Sequence, residues 1–142
     1  MNNKIGNISN YLAALILLSM GIIYLFKNSF MPYHSDAVSM PWNELDSSFQ
    51  YLILALMRTV AGGFMAAAVA IIVLQRKYTL NKISWIPLLI LIYGLCVSFA
   101  SIYATIIVRL HTPGKPPTAL AIAGTMLLIL GYIFNQKTLK KN

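Results

Sequence analysis

The 142-residue chain is 58% hydrophobic and only 10% charged, with a formal charge of +8. A water-soluble domain of this composition lacks the polar side chains to cover itself, so the chain reads as an integral membrane protein. Its basic residues are spread over loops and tails rather than gathered in one patch, which argues against nucleic acid as a partner.

A hydrocarbon core of about 30 Å takes about 20 helical residues to cross. Four apolar segments have that length, at about residues 8–26, 49–75, 84–109 and 117–135. The expected fold is all-α: one polytopic domain over residues 1–142, a four-transmembrane-helix bundle with a short interfacial helix in the first outward loop.

The first span follows Lys4 as a secretory signal would. No small-x-small cleavage pattern comes after it, where the chain reads Lys27, Asn28, Ser29 and Phe30, so a retained helix is expected. It is uniformly apolar apart from Ser19, and Gly21 is its point of close approach. The next loop, KNSFMPYHSDAVSMPWNELDSSFQ, holds all three acids, Asp36, Glu44 and Asp46. Pro41 suits a helix start and Trp42, Leu45 and Phe49 follow at helical spacing, which predicts the interfacial helix there. Tyr33, Trp42 and Tyr51 suit the headgroup zone.

The second span contains one permanent cation, Arg58. At mid-helix such a charge costs on the order of 3 kcal/mol, and two arrangements lower that cost. The side chain can snorkel back to the outer phosphates, or it can turn inward and grip a carboxylate or an acidic headgroup. Asp46 on a continuous helix lies about 18 Å away, which leaves Asp36 or Glu44 as the protein carboxylate. Below Arg58, Gly62, Ala66 and Ala70 recur every four residues beside Gly63 and Ala67, predicting close helix contact. That seam favours the inward arrangement.

The third span has Pro87 in its first turn and a stripe of Ser98, Ser101 and Thr105 expected to face protein, with Tyr93 and Tyr103 beside it. Cys96, the only cysteine, is expected in the core, without a disulfide or redox pair. Arg109, His111 and Lys115 emerge on the same side as His34 and the acids, predicting a polar cluster at the outer mouth. Imidazole and carboxylate are ordinary metal ligands, but His34, Asp36 and His111 have no ligand spacing, so neither metal nor cofactor is expected. The fourth span starts behind Pro116 and Pro117, and Gly124 and Gly131 suggest close contact.

Lys4, then Arg76, Lys77 and Lys82, then Lys137, Lys140 and Lys141 outweigh Lys27, Arg109 and Lys115 on the alternate side. The positive-inside rule then puts both termini in the cytoplasm.

In size and span layout the chain resembles the DoxX-like small bacterial membrane proteins. Phe30-Met31-Pro32-Tyr33-His34, then Trp42, Glu44 and Leu45, then Ala55-Leu56-Met57-Arg58 and Gly62-Gly63 are similar to the pattern of an uncharacterised group of small bacterial inner-membrane proteins. The resemblance covers about the second quarter of the chain, implies an inner-membrane location, and marks the outward loop and Arg58 as the signature region without implying an activity. The small multidrug exporters have a similar span count but need a membrane-embedded glutamate, and no acid lies in any span here.

The leading expectation is a non-enzymatic protein whose outer mouth, floored by Arg58 and covered by the Met31–Asp46 loop, binds a lipid, a quinone or a protein. Its partners would be membrane lipids and, beyond those, a membrane protein or a second copy of the chain. The alternative is a small oligomeric channel or transporter in which Arg58 and Arg109 attract an anionic solute. An enzyme using His34 with Asp36 or Glu44 lacks a nucleophile or cofactor motif.

Overall fold

The computed structural model describes residues 2–139, and Lys140 and Lys141 of the basic tail lie outside them. Five α-helices follow one another: α1 (Asn2–Phe26), α2 (Pro32–Val38), α3 (Ser47–Asn81), α4 (Ile86–His111) and α5 (Thr118–Leu139). All but α2 are long and apolar enough to cross a membrane. The exposed side chains on these four include Leu12, Leu15, Val69, Val73, Phe99, Ile106, Ile122 and Met126, an apolar belt suited to a bilayer and not to water. The protein is a multi-pass, all-helical membrane bundle.

The helices extend past the expected spans, α3 most of all, because polar residues continue the helix beyond the apolar run. Asp46 starts α3 by accepting a hydrogen bond from the Ser48 backbone N–H at 2.8 Å, and Lys82 ends it in the left-handed region at φ 52°. A short helix does occupy the first loop, but at Pro32–Val38. Pro32 opens it, the Met31 N–H donates to His34 Nδ1 at 3.3 Å, and Ser39 closes it at φ 53°. The expected site around Trp42 forms only a 3-10 turn, Trp42–Glu44, because Leu45 leaves the helix at ψ 142° and Asp46 then caps α3.

Around the bundle the order is α3, α1, α5, α4, and of these neighbouring pairs α3 and α4 make the least contact. The buried side of α3 runs through Met57, Ala61, Ala68, Ile71, Gln75 and Tyr78. With half-buried Phe64 between Ala61 and Ala68, these positions have the alternating four-and-three spacing of a supercoiled seam, and Ala67 is buried beside it. Near the α3–α4 turn the core holds Ala13, Ala14, Ile71, Tyr78, Ile86, Ile90 and Leu128. Near α2 a smaller cluster holds Tyr24, Phe30, Met57 and Ala61. Every buried residue of α4 falls between Ile86 and Ser98, so its second half packs on nothing tightly.

The closed end of the bundle is held by polar groups. Asn10, Gln75 and Asn135, from α1, α3 and α5, are completely buried. Gln75 Oε1 accepts from Asn10 Nδ2 at 2.6 Å and from Asn135 Nδ2 at 3.1 Å, while its Nε2 donates to Asn7 Oδ1 at 2.7 Å. Tyr78 donates to the Asn135 carbonyl at 2.8 Å. The two asparagines reciprocate across antiparallel helices. Asn10 lies against Gly131 and Asn135 lies against Gly6, so Gly6-x-x-x-Asn10 meets Gly131-x-x-x-Asn135 head to tail. A Cβ on either glycine would collide with the opposing amide, which is why both positions are glycine.

Three sequence expectations about helix contact are corrected. Gly62, Gly63 and Gly124 have nothing within 4 Å of where a Cβ would stand. Of the alanine row, Ala67 is buried, Ala70 half-buried and Ala66 exposed; Ala61 and Ala68 are fully buried in its place, while Gly131 makes the close contact expected of it. Gly21 does approach closely, its Cβ position lying 3.2 Å from the Ala61 carbonyl oxygen. Tyr93 and Tyr103 turn outward and are exposed.

Candidate functional site

Where α4 buries no residue beyond Ser98, the bundle leaves beneath α2 a partly open cavity of about 830 Å³. This lies in the roughly 300–1,000 Å³ range of small-molecule sites. All five helices contribute to its wall, including Leu17 and Met20 of α1, Met57 and Phe64 of α3, Val97 and Ala104 of α4, and Leu120 and Ala121 of α5. Leu56, Val60 and Gly63 of α3 and Cys96, Ala100 and Ala104 of α4 line it and are exposed, so it opens along the seam between those two helices. Gly124 and Gly63 are part of this wall, and their missing side chains are volume for an occupant rather than helix contacts.

The Ser98, Ser101 and Thr105 stripe does turn toward protein, and it lines the cavity. Ser101 donates to the Val97 carbonyl at 2.8 Å and Thr105 to that of Ile102 at 2.9 Å, so these two protons are spent on their own helix, and most of the surrounding wall is apolar. Cys96, expected in the core, is exposed at the opening.

The polar end of the cavity is its roof. Tyr24 of α1 and Tyr33 of α2 share a hydrogen bond between their hydroxyls, and both line the cavity with His34. The His34 ring stands edge-on to Tyr33 at 4.2 Å, to Phe30 at 6.2 Å and to Tyr24 at 6.4 Å. Partial burial lowers the His34 pKa and raises that of Tyr33, so both are neutral at physiological pH. The α4–α5 connection presses α2 into place, with the Cβ position of Gly114 only 2.7 Å from the Tyr33 carbonyl oxygen. Trp42 backs the roof, edge-on to Phe30 at 5.0 Å.

Of the residues singled out in the sequence, His34 lines the cavity and Trp42 supports it. Arg58 does neither. Its guanidinium is half-buried and donates from Nη1 to the Leu54 carbonyl at 3.2 Å and from Nη2 to the Lys27 carbonyl at 3.3 Å. The expected carboxylate partner is not used, because the carbonyls at the end of α1 lack helical donors and carry partial negative charge. Arg58 staples the C-terminus of α1 to α3.

Asp36 is exposed in a shallow crevice with Lys115, and Glu44, Arg109 and His111 are exposed as well. They do not assemble a cluster with His34. Among the described residues no three His, Cys, Asp or Glu side chains are placed to hold a metal ion.

Sequence reasoning missed Tyr24, Tyr33 and Phe64 as cavity residues and the Asn10–Gln75–Asn135 clasp altogether. The signal for the clasp was Gln75, a polar residue in register with the buried seam of α3. No family model matches the chain, and no curated protein or solved structure matches it.

Proposed function

We propose that this is a non-enzymatic inner-membrane protein that binds a lipophilic small molecule in the cavity between its helices. The observation that carries the reading is the cavity itself, ligand-sized, walled by apolar side chains and open toward the bilayer between α3 and α4. Of a lipid, a quinone and a protein as occupants, the enclosure by five helices of one chain favours a small molecule. The residues behind the family resemblance support the same place, since Phe30, Tyr33 and His34 line the roof. Channel or transporter activity on an anion is disfavoured, because neither Arg58 nor Arg109 lines the cavity.

The proposed orientation puts Lys4, Arg76, Lys77, Lys82 and Lys137, all at the clasp end, in the cytoplasm of a bacterial cell, and the α2 roof outside. The test is native mass spectrometry of protein extracted in mild detergent, beside Gly124→Phe, which fills the cavity where a Cβ meets nothing within 4 Å. A defined adduct retained by the wild type and lost from the folded variant is expected. Identical spectra refute the reading.

A further inference from the structure

We infer that the occupant carries an uncharged head that accepts hydrogen bonds, a carbonyl oxygen on an alkyl or prenyl tail, held between His34 and the Tyr24–Tyr33 pair. This rests on the cavity being a ligand site and names the ligand's chemistry.

The first argument is charge. No Lys, Arg, Asp or Glu is among the residues lining the cavity. A phosphate or carboxylate entering it would be stripped of water with no counter-charge, a cost that excludes anionic heads. Arg58, the cation inside α3 at this end, is already committed to two carbonyls, and Arg109 at the end of α4 is exposed and does not line the cavity.

The second argument is the direction of the available hydrogen bonds. His34 Nδ1 accepts from the Met31 N–H, so the single proton of the neutral ring sits on Nε2 and makes a donor. Tyr24 and Tyr33 pair with each other, and whichever hydroxyl accepts keeps its own proton to give. The roof therefore offers donors. The Ser101 and Thr105 protons are spent on their own helix, so the roof supplies the donors that a head can meet, and a head that accepts is their complement.

The third argument is shape. Phe30, Tyr33 and His34 stand edge to face around the roof, which gives a flat head aromatic walls. A quinone meets all three conditions, being planar, uncharged and acceptor-only on an apolar tail. A neutral ester lipid meets the first two.

The chain supplies its own reporter. It has two tryptophans, Trp42 behind the roof and Trp85 at the far end of α4. In the Trp85→Phe variant, in uncharged detergent, a decyl-substituted benzoquinone is expected to quench Trp42 saturably. In Trp42→Phe, quenching of Trp85 should rise linearly without saturation. 1,2-Dioleoyl-3-acetylglycerol, whose esters only accept, would extend the site to ester heads if it competed for the quinone, whereas no competition restricts it to quinones. Dioleoylphosphatidate, with the same tails and an anionic head, should not compete. Tyr24→Phe with Tyr33→Phe keeps the rings and removes the hydroxyls, and should weaken quinone binding about tenfold, the worth of one buried hydrogen bond.

Phosphatidate competing as well as the acetylated diester, or unchanged quinone affinity in the double phenylalanine variant, would overturn the head assignment while leaving the cavity as a site. Failure of every ligand to bind saturably would instead remove the cavity reading underneath it.

Discussion

Gly131→Ala should be among the costliest single-methyl additions in this protein, and its cost should depend on one other residue. The new Cβ would stand 2.5 Å from Asn10 Cγ and 2.9 Å from Asn10 Nδ2, and the three atoms nearest to it all belong to Asn10. Asn10 is fully buried and cannot yield without breaking its 2.6 Å bond to Gln75. Interhelical hydrogen bonds in membranes average about 0.6 kcal/mol, and a buried amide left without a partner adds about 1–3 kcal/mol, so a loss of about 2–3 kcal/mol is expected. Asn10→Ala alone should cost about 2 kcal/mol on the same grounds. In that background nothing remains for the Gly131 methyl to strike. The double variant should be no less stable than Asn10→Ala, giving a coupling of about 2 kcal/mol. Reversible unfolding of the four proteins in mixed detergent micelles measures this. Additive costs would mean that the clash lies elsewhere and that Asn10 and Gly131 do not face each other.

Arg58→Gln should destabilise the protein by about 1–2 kcal/mol through loss of a cation at the end of α1, with faster amide exchange around Phe26–Asn28. Arg58→Lys should fall between, because an ammonium lacks the fork that reaches two carbonyls. Ligand affinity should be unchanged in both, and an affinity loss at unchanged stability would assign Arg58 to the ligand instead. For His34, burial holds the pKa below its ordinary 6.5, and protonation would set an N–H against the Met31 N–H that Nδ1 now accepts. A lowered folded pKa gives stability that is complete above 6.5 and is lost as pH falls below it. The groups facing His34 are Tyr24, Tyr33 and Phe30, none of them charged, so nothing offsets that loss. Amide exchange over α2, corrected for its intrinsic pH dependence, should accelerate between pH 7.5 and 5 relative to α1, and an unchanged ratio would refute this.

The four spans were legible because a run of about 20 apolar residues has few other uses. Contacts inside the bundle were not, since α3 carries small residues on more than one face. Gly62, Ala66 and Ala70 form as regular a row as Ala61 and Ala68, and sequence spacing does not say which row meets α1. Arg58 was correctly read as lying near a helix seam, but its partner is a backbone carbonyl, and carbonyls leave no trace in composition. Tyr33 and His34 reach the cavity because a helix forms at Pro32 and the Gly114 connection presses on it, a tertiary effect with no local signature. Asn10 and Asn135 sit at the ends of apolar runs, where asparagine ordinarily marks a boundary.

The clasp also bears on the order of assembly. Gln75 meets Asn10 across 65 positions and Asn135 across 60, so its hydrogen bonds become available in two instalments as the chain emerges. Once α3 is in the bilayer, Asn10 can satisfy one lone pair of Gln75. The second waits for α5. Until then one lone pair of Gln75 lacks its partner in a helix that must already occupy lipid, so a bundle without α5 presents a polar edge. Insertion of α5 conceals that edge, so the clasp closes only when all four spans are in place.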